Sequence, residues 1–402
     1  MNLILDIFHY ILVAILIGVS STWVILIKSM IMTFHESPFL DKFEKKDHVK
    51  PKVSIILPAR NEEKFIDKCL VSLLNQDYDN YEIIVINDSS EDSTGDLIKK
   101  YAKKYSKIIP VDANPKPVGW VGKNWACMEG YKKATGELLL FTDADTKHAN
   151  SVISLAVSHL LSLELDALTV IPRMLCLDLI TKITLPMIST FLHTRFSALR
   201  VNDKSKNTGY FFGSFFIIKK TTYDSVGTHE GVRQELIEDG ALGKKVKESG
   251  FKMRMVRGEH LIDAVWARDI NTLWNALKRL MVPFYLQNAK LAVASSIGVL
   301  FLLFMPFPIF AYSVILFNDT TSSLVLVVIA GIASALVYTA AILDATKGLG
   351  LGTKYALLAP IGSFIVVGGF FAGLIQAKSK DAVSWRGRTY SMKGQTQRSI
   401  NV

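Results

Sequence analysis

In "GELLLFTDADTKHAN" a continuous apolar run, Leu138 to Thr142, leads straight into Asp143-Ala144-Asp145. The run reads as a buried strand. Side chains at i and i+2 of an extended chain project to one side, so Asp143 and Asp145 aim two negative groups at one point past the strand end. A third carboxylate, Asp88, closes a second apolar run in "YEIIVIND". Alone, the Asp143/Asp145 pair could be solvated, or Asp143 could cap a helix near Asn150. Three carboxylates converging on one crevice would instead repel unless a cation or a hydrogen-bonding ligand offsets them. No His or Cys stands near them at metal spacing, and an all-oxygen set suits Mg²⁺ or Mn²⁺ better than Zn²⁺.

Alternating elements position these groups. "KVSIILPARNEEKFIDKCLVSLLNQ" predicts a strand over Val53 to Leu57 that ends at Pro58, and a helix from about Glu62 with Asn61 as its cap. "YEIIVINDSSEDSTGDLIKKYAKKY" predicts a strand ending at Asn87-Asp88 and a helix capped near Ser93. Two successive strand-loop-helix units imply parallel strands with right-handed crossovers. Ligands of such sheets sit at the carboxyl ends of the strands, where Asp88, Asp143 and Asp145 fall. Residues 50–265 are therefore expected to form one α/β domain.

The flanking sequence belongs in a different solvent. Half of the 402 residues are hydrophobic, and a mean hydropathy of +0.29 is high for a soluble domain. Ile7 to Ile27 carries no charge over 21 positions, and neither do Leu291 to Asn318, Thr320 to Leu343 or Tyr355 to Ala377. Each exceeds the roughly 20 residues a helix needs to cross ~30 Å of hydrocarbon. About four transmembrane helices are expected, one N-terminal (1–32) and three in the C-terminal region (290–377). Asp6 and the length of the first run argue against a cleaved signal. Lys28 and "DKFEKKDHVKPK" follow that run, which puts its far end in the cytoplasm. The net charge of +10 is concentrated beside apolar runs, above all in the basic tail (378–402). That pattern fits anionic headgroups and not nucleic acid. Cys69, Cys127 and Cys176 show no ligand spacing and are expected to be buried thiols.

Four stretches, "SIILPARNEE", "IVINDSSEDST", "GKNWACMEGYKKATGELLLFTDADT" and "ELIEDGALGKKVKESGFKMRMV", together resemble the successive signatures of family 2 glycosyltransferases. "GWVGKNWA" with "SWRGRTY" further resembles the membrane enzymes that glycosylate polyisoprenoid, carotenoid or hopanoid-associated lipids. The resemblance implies a GT-A nucleotide-sugar-binding fold with a mostly parallel central sheet. It also implies a UDP- or GDP-sugar donor, and site residues by position. Pro58, Asn61 and Glu62 would line the base and ribose, and Asp88 would bond the base. Lys123 would neutralise diphosphate, although a lysine opening a helix can simply be exposed. Asp145 would hold the metal, with Asp143 on the ribose or the metal's waters. Asp239, beside Glu238, would be the general base, although both could merely complement a helix dipole. Gly213 and Ser214 would lie in the family's Gly-rich stretch. No Q-x-x-R-W sequence follows Glu238-Asp239, a motif of the family's processive synthases, so transfer of one sugar is expected.

Two amphipathic segments suggest how a lipid acceptor would arrive. Residues 186–200 put Met187, Ile188, Phe191, Leu192, Phe196 and Leu199 on one helical face, with Pro186 in the first turn and His193 at the surface. Residues 268–288 repeat the pattern with Ile270, Leu273, Trp274, Leu277 and Met281. Each could pack on a core or lie in the membrane interface; the second leads directly into an apolar run, which favours the interface. The expected function is metal-dependent sugar transfer to a membrane lipid at the cytoplasmic face. The alternatives are a polysaccharide synthase and a non-catalytic transporter or lipid-binding protein.

Overall fold

The computed structural model describes residues 2–43, 50–378, 383–385 and 388–390. Most of the basic tail lies outside them. The chain divides into a helical unit (residues 1–36, 176–197 and 267–381) and an α/β unit (37–175, 198–266 and 382–402).

The first element of the helical unit is α1 (Asn2–Glu36). The α/β unit then runs β1 (Val53–Ala59), α2 (Ile66–Leu74), β2 (Tyr81–Asn87), α3 (Thr94–Lys104), β3 (Ile108–Asp112), α4 (Gly122–Tyr131) and β4 (Leu138–Phe141). It continues with β5 (Thr146–His148), α5 (Val152–Ser162), β6 (Ala167–Ile171) and β7 (Arg173–Cys176). After α6 (Leu179–Arg195) of the helical unit come α7 (Ala198–Asn202), β8 (Phe216–Lys219), α8 (Lys220–Ser225), α9 (Glu238–Glu248), β9 (Met253–Arg257) and β10 (Ile262–Ala267).

Seven strands form the main sheet in the order β3-β2-β1-β4-β8-β6-β9. All pairs are parallel except those of β8, which runs antiparallel to β4 and β6. Ile55 and Leu57 on one face of β1, and Ile56 on the other, are all fully buried. Helices therefore cover both faces, and the strands read as unbroken apolar runs for that reason. The expected strand ends at Asn87 and near Asp143 are observed.

The loop after β1 differs from its expected form. Asn61 has φ +54°, and α2 begins only at Ile66. Asn61 spends its side-chain oxygen on the Glu91 backbone N–H, 2.9 Å away, and so braces the neighbouring loop instead of capping a helix. Ser93 does stand at the N-cap of α3, but Asp92 accepts the Thr94 N–H at 3.0 Å in its place.

The helical unit ends with α10 (Ile270–Gln287), α11 (Ala289–Val299), α12 (Pro306–Ile315), α13 (Thr321–Leu343), α14 (Thr353–Ala356) and α15 (Ala359–Lys378). Among the described residues three helices are long and apolar enough to cross a membrane, spanning Leu3–Glu36, Thr321–Gly348 and Ala359–Lys378. A fourth span would be the pair Ala289–Phe304 and Pro306–Ile315, bent by 52°. The break falls at Pro306, which has no N–H to continue a helix. Asp269 and Thr272 close a capping box on α10, whose Trp274 and Leu277 lie against Gly368 and Gly369 of α15.

The first amphipathic segment departs from expectation. Pro186 lies inside α6, and the helix stops at Arg195. His193, expected at the surface, is buried together with Ser189 and Thr194, while Phe191, Leu192, Phe196 and Leu199 are half-buried.

Candidate active site

The site is built around one ammonium group. Lys123 Nζ lies 2.7 Å from Asp143 Oδ1 and 2.7 Å from Glu238 Oε1. Asp239 stands beside them with both carboxylate oxygens held by backbone donors. Gly213 N–H donates to Oδ2 and Gly240 N–H to Oδ1, each at 2.8 Å. Gly213 is where these groups meet. A Cβ there would stand 2.8 Å from Asp239 Oδ2, 3.0 Å from Lys123 Nζ and 3.3 Å from Asp143 Oδ2. Only glycine lets the backbone approach so closely.

Local structure fixes each member. Asp143 follows β4 directly, and Thr146 Oγ1 donates to its carbonyl at 2.7 Å. Asp145 precedes β5, and its carbonyl accepts Val265 N–H from β10 at 3.2 Å. Lys123 sits in the first turn of α4, where Asn124 Nδ2 donates to the carbonyls of Val232 (2.8 Å) and Glu235 (3.1 Å). Val121 N–H donates to Arg233 O at 2.8 Å. These bonds bind the start of α4 to the loop that feeds α9, so Lys123 meets Glu238 at a set distance. Glu238 and Asp239 open α9, whose N-terminal dipole also favours negative charge.

The electrostatics follow from burial around one cation. Burial works against the Lys123 ammonium, but Asp143, Glu238 and Asp239 outweigh it and hold its pKa well above the ordinary lysine value. Burial and the adjacent Glu238 push Asp239 up to about 7, against the pull of Lys123. A carboxyl poised there can exchange protons near neutrality.

Several wall residues carry no sequence signal of their own. Pro58, Lys123, Cys127, Phe141, Thr142, Gly213, Phe216, His229 and Glu238 line one small cavity. Cys127 lies one helical turn beyond Lys123, a spacing that could have flagged it. Burial holds its thiol well above the usual range, opposed by Lys123 and reinforced by Glu238, Asp143 and Asp88. His229 is bonded to Tyr223 Oη at 2.5 Å, and burial together with Lys123 pushes it down to about 3, so it is neutral.

The loops after β1 and β2 are tied together. Arg60 Nη1 donates to the carbonyls of Asp88 (2.7 Å) and Ser89 (2.6 Å). Asp88 N–H donates to Ala59 O at 2.8 Å. Glu62 is fully buried, with its N–H on Thr94 Oγ1 at 2.7 Å, and anchors this loop.

Lys123 is one cation beside the strand-end carboxylates. No group of three or more His, Cys, Asp or Glu side chains is arranged to hold a metal among the described residues. Asp143, the first of the D-x-D pair, is grouped instead with Glu238 and Asp239 around Lys123. Asp143 remains 29% exposed. The residues fit a hard cation held by one or two carboxylates with phosphate and water completing the shell, as is usual for Mg²⁺. They do not fit an all-protein cage.

A mostly parallel sheet with one inserted antiparallel strand, carrying its acidic site at the strand ends, defines a GT-A fold. The mannosyltransferase PcManGT of Pyrobaculum calidifontis, solved with GDP-Man and Mn²⁺, superposes with a TM-score of 0.50 over 91% of this chain and 99% of its own, at 16% identity. Residues 54–235 match the glycosyl transferase family 2 model, and that likeness marks a glycosyltransferase. The match ends before Glu238 and Asp239. The chain is 35% identical over 140 residues to the probable glycosyltransferase YdaM of Bacillus subtilis (strain 168), covering 32% of this chain and 33% of that protein. It is 25% identical over 248 residues to the 4,4'-diaponeurosporenoate glycosyltransferase of Staphylococcus haemolyticus (strain JCSC1435), covering 60% and 64%. These alignments span between a third and two thirds of the relatives' own lengths.

Proposed function

We propose that the protein transfers one sugar from a UDP- or GDP-sugar to a membrane lipid at the cytoplasmic face. The observation that carries this reading is the Lys123 constellation, with Asp239 oriented by Gly213 and Gly240 at the strand ends of a GT-A domain. Asp143 and Asp145 would hold Mg²⁺ or Mn²⁺, which supplies Lewis-acid stabilisation of the departing diphosphate. Lys123 adds a second positive charge toward the diphosphate. Asp239 accepts the acceptor's proton. Pro58, Asn61, Glu62 and Asp88 form or brace the base and ribose loops. The carotenoid acid in the name of the staphylococcal relative, together with the three apolar helices, supports a lipid acceptor. The basic segment after α1 supports the cytoplasmic side.

The test is to incubate membranes carrying the protein with a panel of radiolabelled nucleotide sugars and to identify the labelled product by mass spectrometry. A lipid bearing one sugar, absent with Asp239→Asn, is expected. A product that grows beyond one sugar would point to the polysaccharide reading. No transfer from any donor would leave a binding protein.

A further inference from the structure

A second polar constellation lies within the helical unit. Asp344 is fully buried, although it ends one of the longest apolar helices of the chain. Its Oδ1 meets His193 Nδ1 at 2.5 Å, and its Oδ2 meets the Ser189 hydroxyl, which also lies 2.7 Å from Leu185 O. Ser189 and His193 are four apart on α6 and so share a face. Residues 344–348 form a π-helical turn, with Leu349 N–H on Asp344 O at 3.0 Å. Gly348 closes the site: a Cβ there would stand 2.6 Å from His193 Cε1. Phe34 presents a ring edge to the imidazole at 4.9 Å.

The second ring nitrogen gives this group a use. His193 is 5% exposed, yet Nε2 has no hydrogen-bond partner among the described residues and is not one of the fully enclosed polar atoms. Asp344 fixes the ring through Nδ1, as a carboxylate orients a working histidine, and leaves Nε2 as the free edge. An anionic oxygen brought to Nε2 would favour the doubly protonated ring, in which Nε2–H donates to it. A purely structural bridge between α6 and the π turn has no need of a second nitrogen left open, and π turns are frequent at functional sites.

We propose that Ser189, His193 and Asp344 form a headgroup site in which Nε2–H of His193 binds an anionic oxygen, carboxylate or phosphate, of a membrane amphiphile. The site is separate from the Lys123 constellation, and its test is independent of which sugar is transferred.

The full-length protein, labelled with ¹⁵N-histidine in an uncharged maltoside detergent, is titrated with dodecanoate, dodecyl phosphate and dodecyltrimethylammonium. The His193 signal is assigned by its loss in His193→Gln. A saturable Nε2–H shift with dodecanoate or dodecyl phosphate, and none with the ammonium, is expected. A response to phosphate alone indicates a phospholipid-type ligand, and a response to carboxylate indicates a fatty or carotenoid acid. By calorimetry, His193→Phe should weaken binding by at least ~10-fold, as expected for loss of a charge-assisted bond, and His193→Gln, which keeps a donor, should recover part of it. The proposal is overturned if neither anionic amphiphile moves the wild-type signal, or if His193→Phe unfolds at the wild-type temperature and binds equally well. Should His193→Phe not fold, the wild-type titration decides alone.

Discussion

Lys123 Nζ and Asp143 Oδ1 stand 2.7 Å apart, so the first carboxylate of the D-x-D pair is already neutralised inside the protein. Lys123→Met would leave Asp143, Glu238 and Asp239 around a site with no cation. Breaking a sealed pair costs about 3–5 kcal/mol; because Asp143 is 29% exposed and water reaches it, roughly 2–4 kcal/mol is expected here. Thermal unfolding in detergent should show the loss. Calorimetry should show donor affinity falling at least ~10-fold, as for a lost charge-assisted contact to phosphate. Unchanged donor affinity would remove Lys123 from the donor site.

Asp239 sets a pH dependence. Its carboxyl, raised to about 7 by burial and Glu238, must be ionised to accept a proton. In the pH profile of kcat/KM, which reports the free enzyme, activity should rise through an inflection near that value. Lys123 lowers the pKa of Asp239, so Lys123→Gln should move the inflection upward. The linkage to stability has the opposite slope. An unfolded Asp loses its proton near 3.9, while the folded group keeps it to about 7. Between those values the native state binds more protons, so this residue's contribution falls as pH rises and is level above 7. A profile flat from pH 6 to 8 would remove Asp239 as the base.

The strands were legible because both faces of the sheet are covered, which leaves runs such as "SIIL" and "LLLF" without alternation. Asp88, Asp143 and Asp145 were legible because they end those runs. Lys123, Glu238 and Asp239 were placed by resemblance, and their mutual contact depends on Asn124 bonding carbonyls more than a hundred residues away, which no local pattern encodes. His193 was misread for a related reason. Its face is polar by composition, but Asp344 and Gly348 from a distant helix bury it. The break at Pro306 could be read directly, since it follows from a missing N–H.

Gly213→Ala tests the crowding at the centre. The added methyl would lie 2.8 Å from Asp239 Oδ2 and 3.0 Å from Lys123 Nζ, so one of the two must shift. Misplacement of reacting groups by about 1 Å can cost ~100-fold, and a fall of that order in kcat is expected. Donor affinity should fall less than kcat, because the Asp239 carboxylate is the nearest group at 2.8 Å, with Lys123 and Asp143 farther at 3.0 and 3.3 Å. Steady-state kinetics with a donor titration separates the two effects, and a variant with wild-type kcat would show that the Asp239 position is not critical.

Asp145 and Asp239 should divide their roles. Asp145→Asn should weaken metal-dependent donor binding, and EDTA should do the same to the wild type, since two carboxylates alone repel a diphosphate. Asp239→Asn should abolish transfer while leaving donor affinity nearly intact. Calorimetry on both variants, with and without EDTA, reads this directly. Equal losses of affinity, or binding indifferent to EDTA, would contradict the assignment.

The bent pair predicts where the tail lies. If α11 and α12 crossed as one span, four crossings from an outside N-terminus would return the chain to the outside, and a tail with six Lys or Arg against one Asp over residues 377–399 would break the positive-inside tendency. A 52° break at Pro306 instead suits a segment that enters and leaves on one side, because protein around it can satisfy the backbone groups that the break frees. With α1, α13 and α15 as the three crossings, both the α/β domain and the tail then face the cytoplasm. Trypsin added to sealed, inside-out vesicles should therefore cut at Arg386, Arg388 and Lys393, and should leave them intact in right-side-out vesicles. Cleavage only in the right-side-out preparation would mean that the bent pair crosses completely.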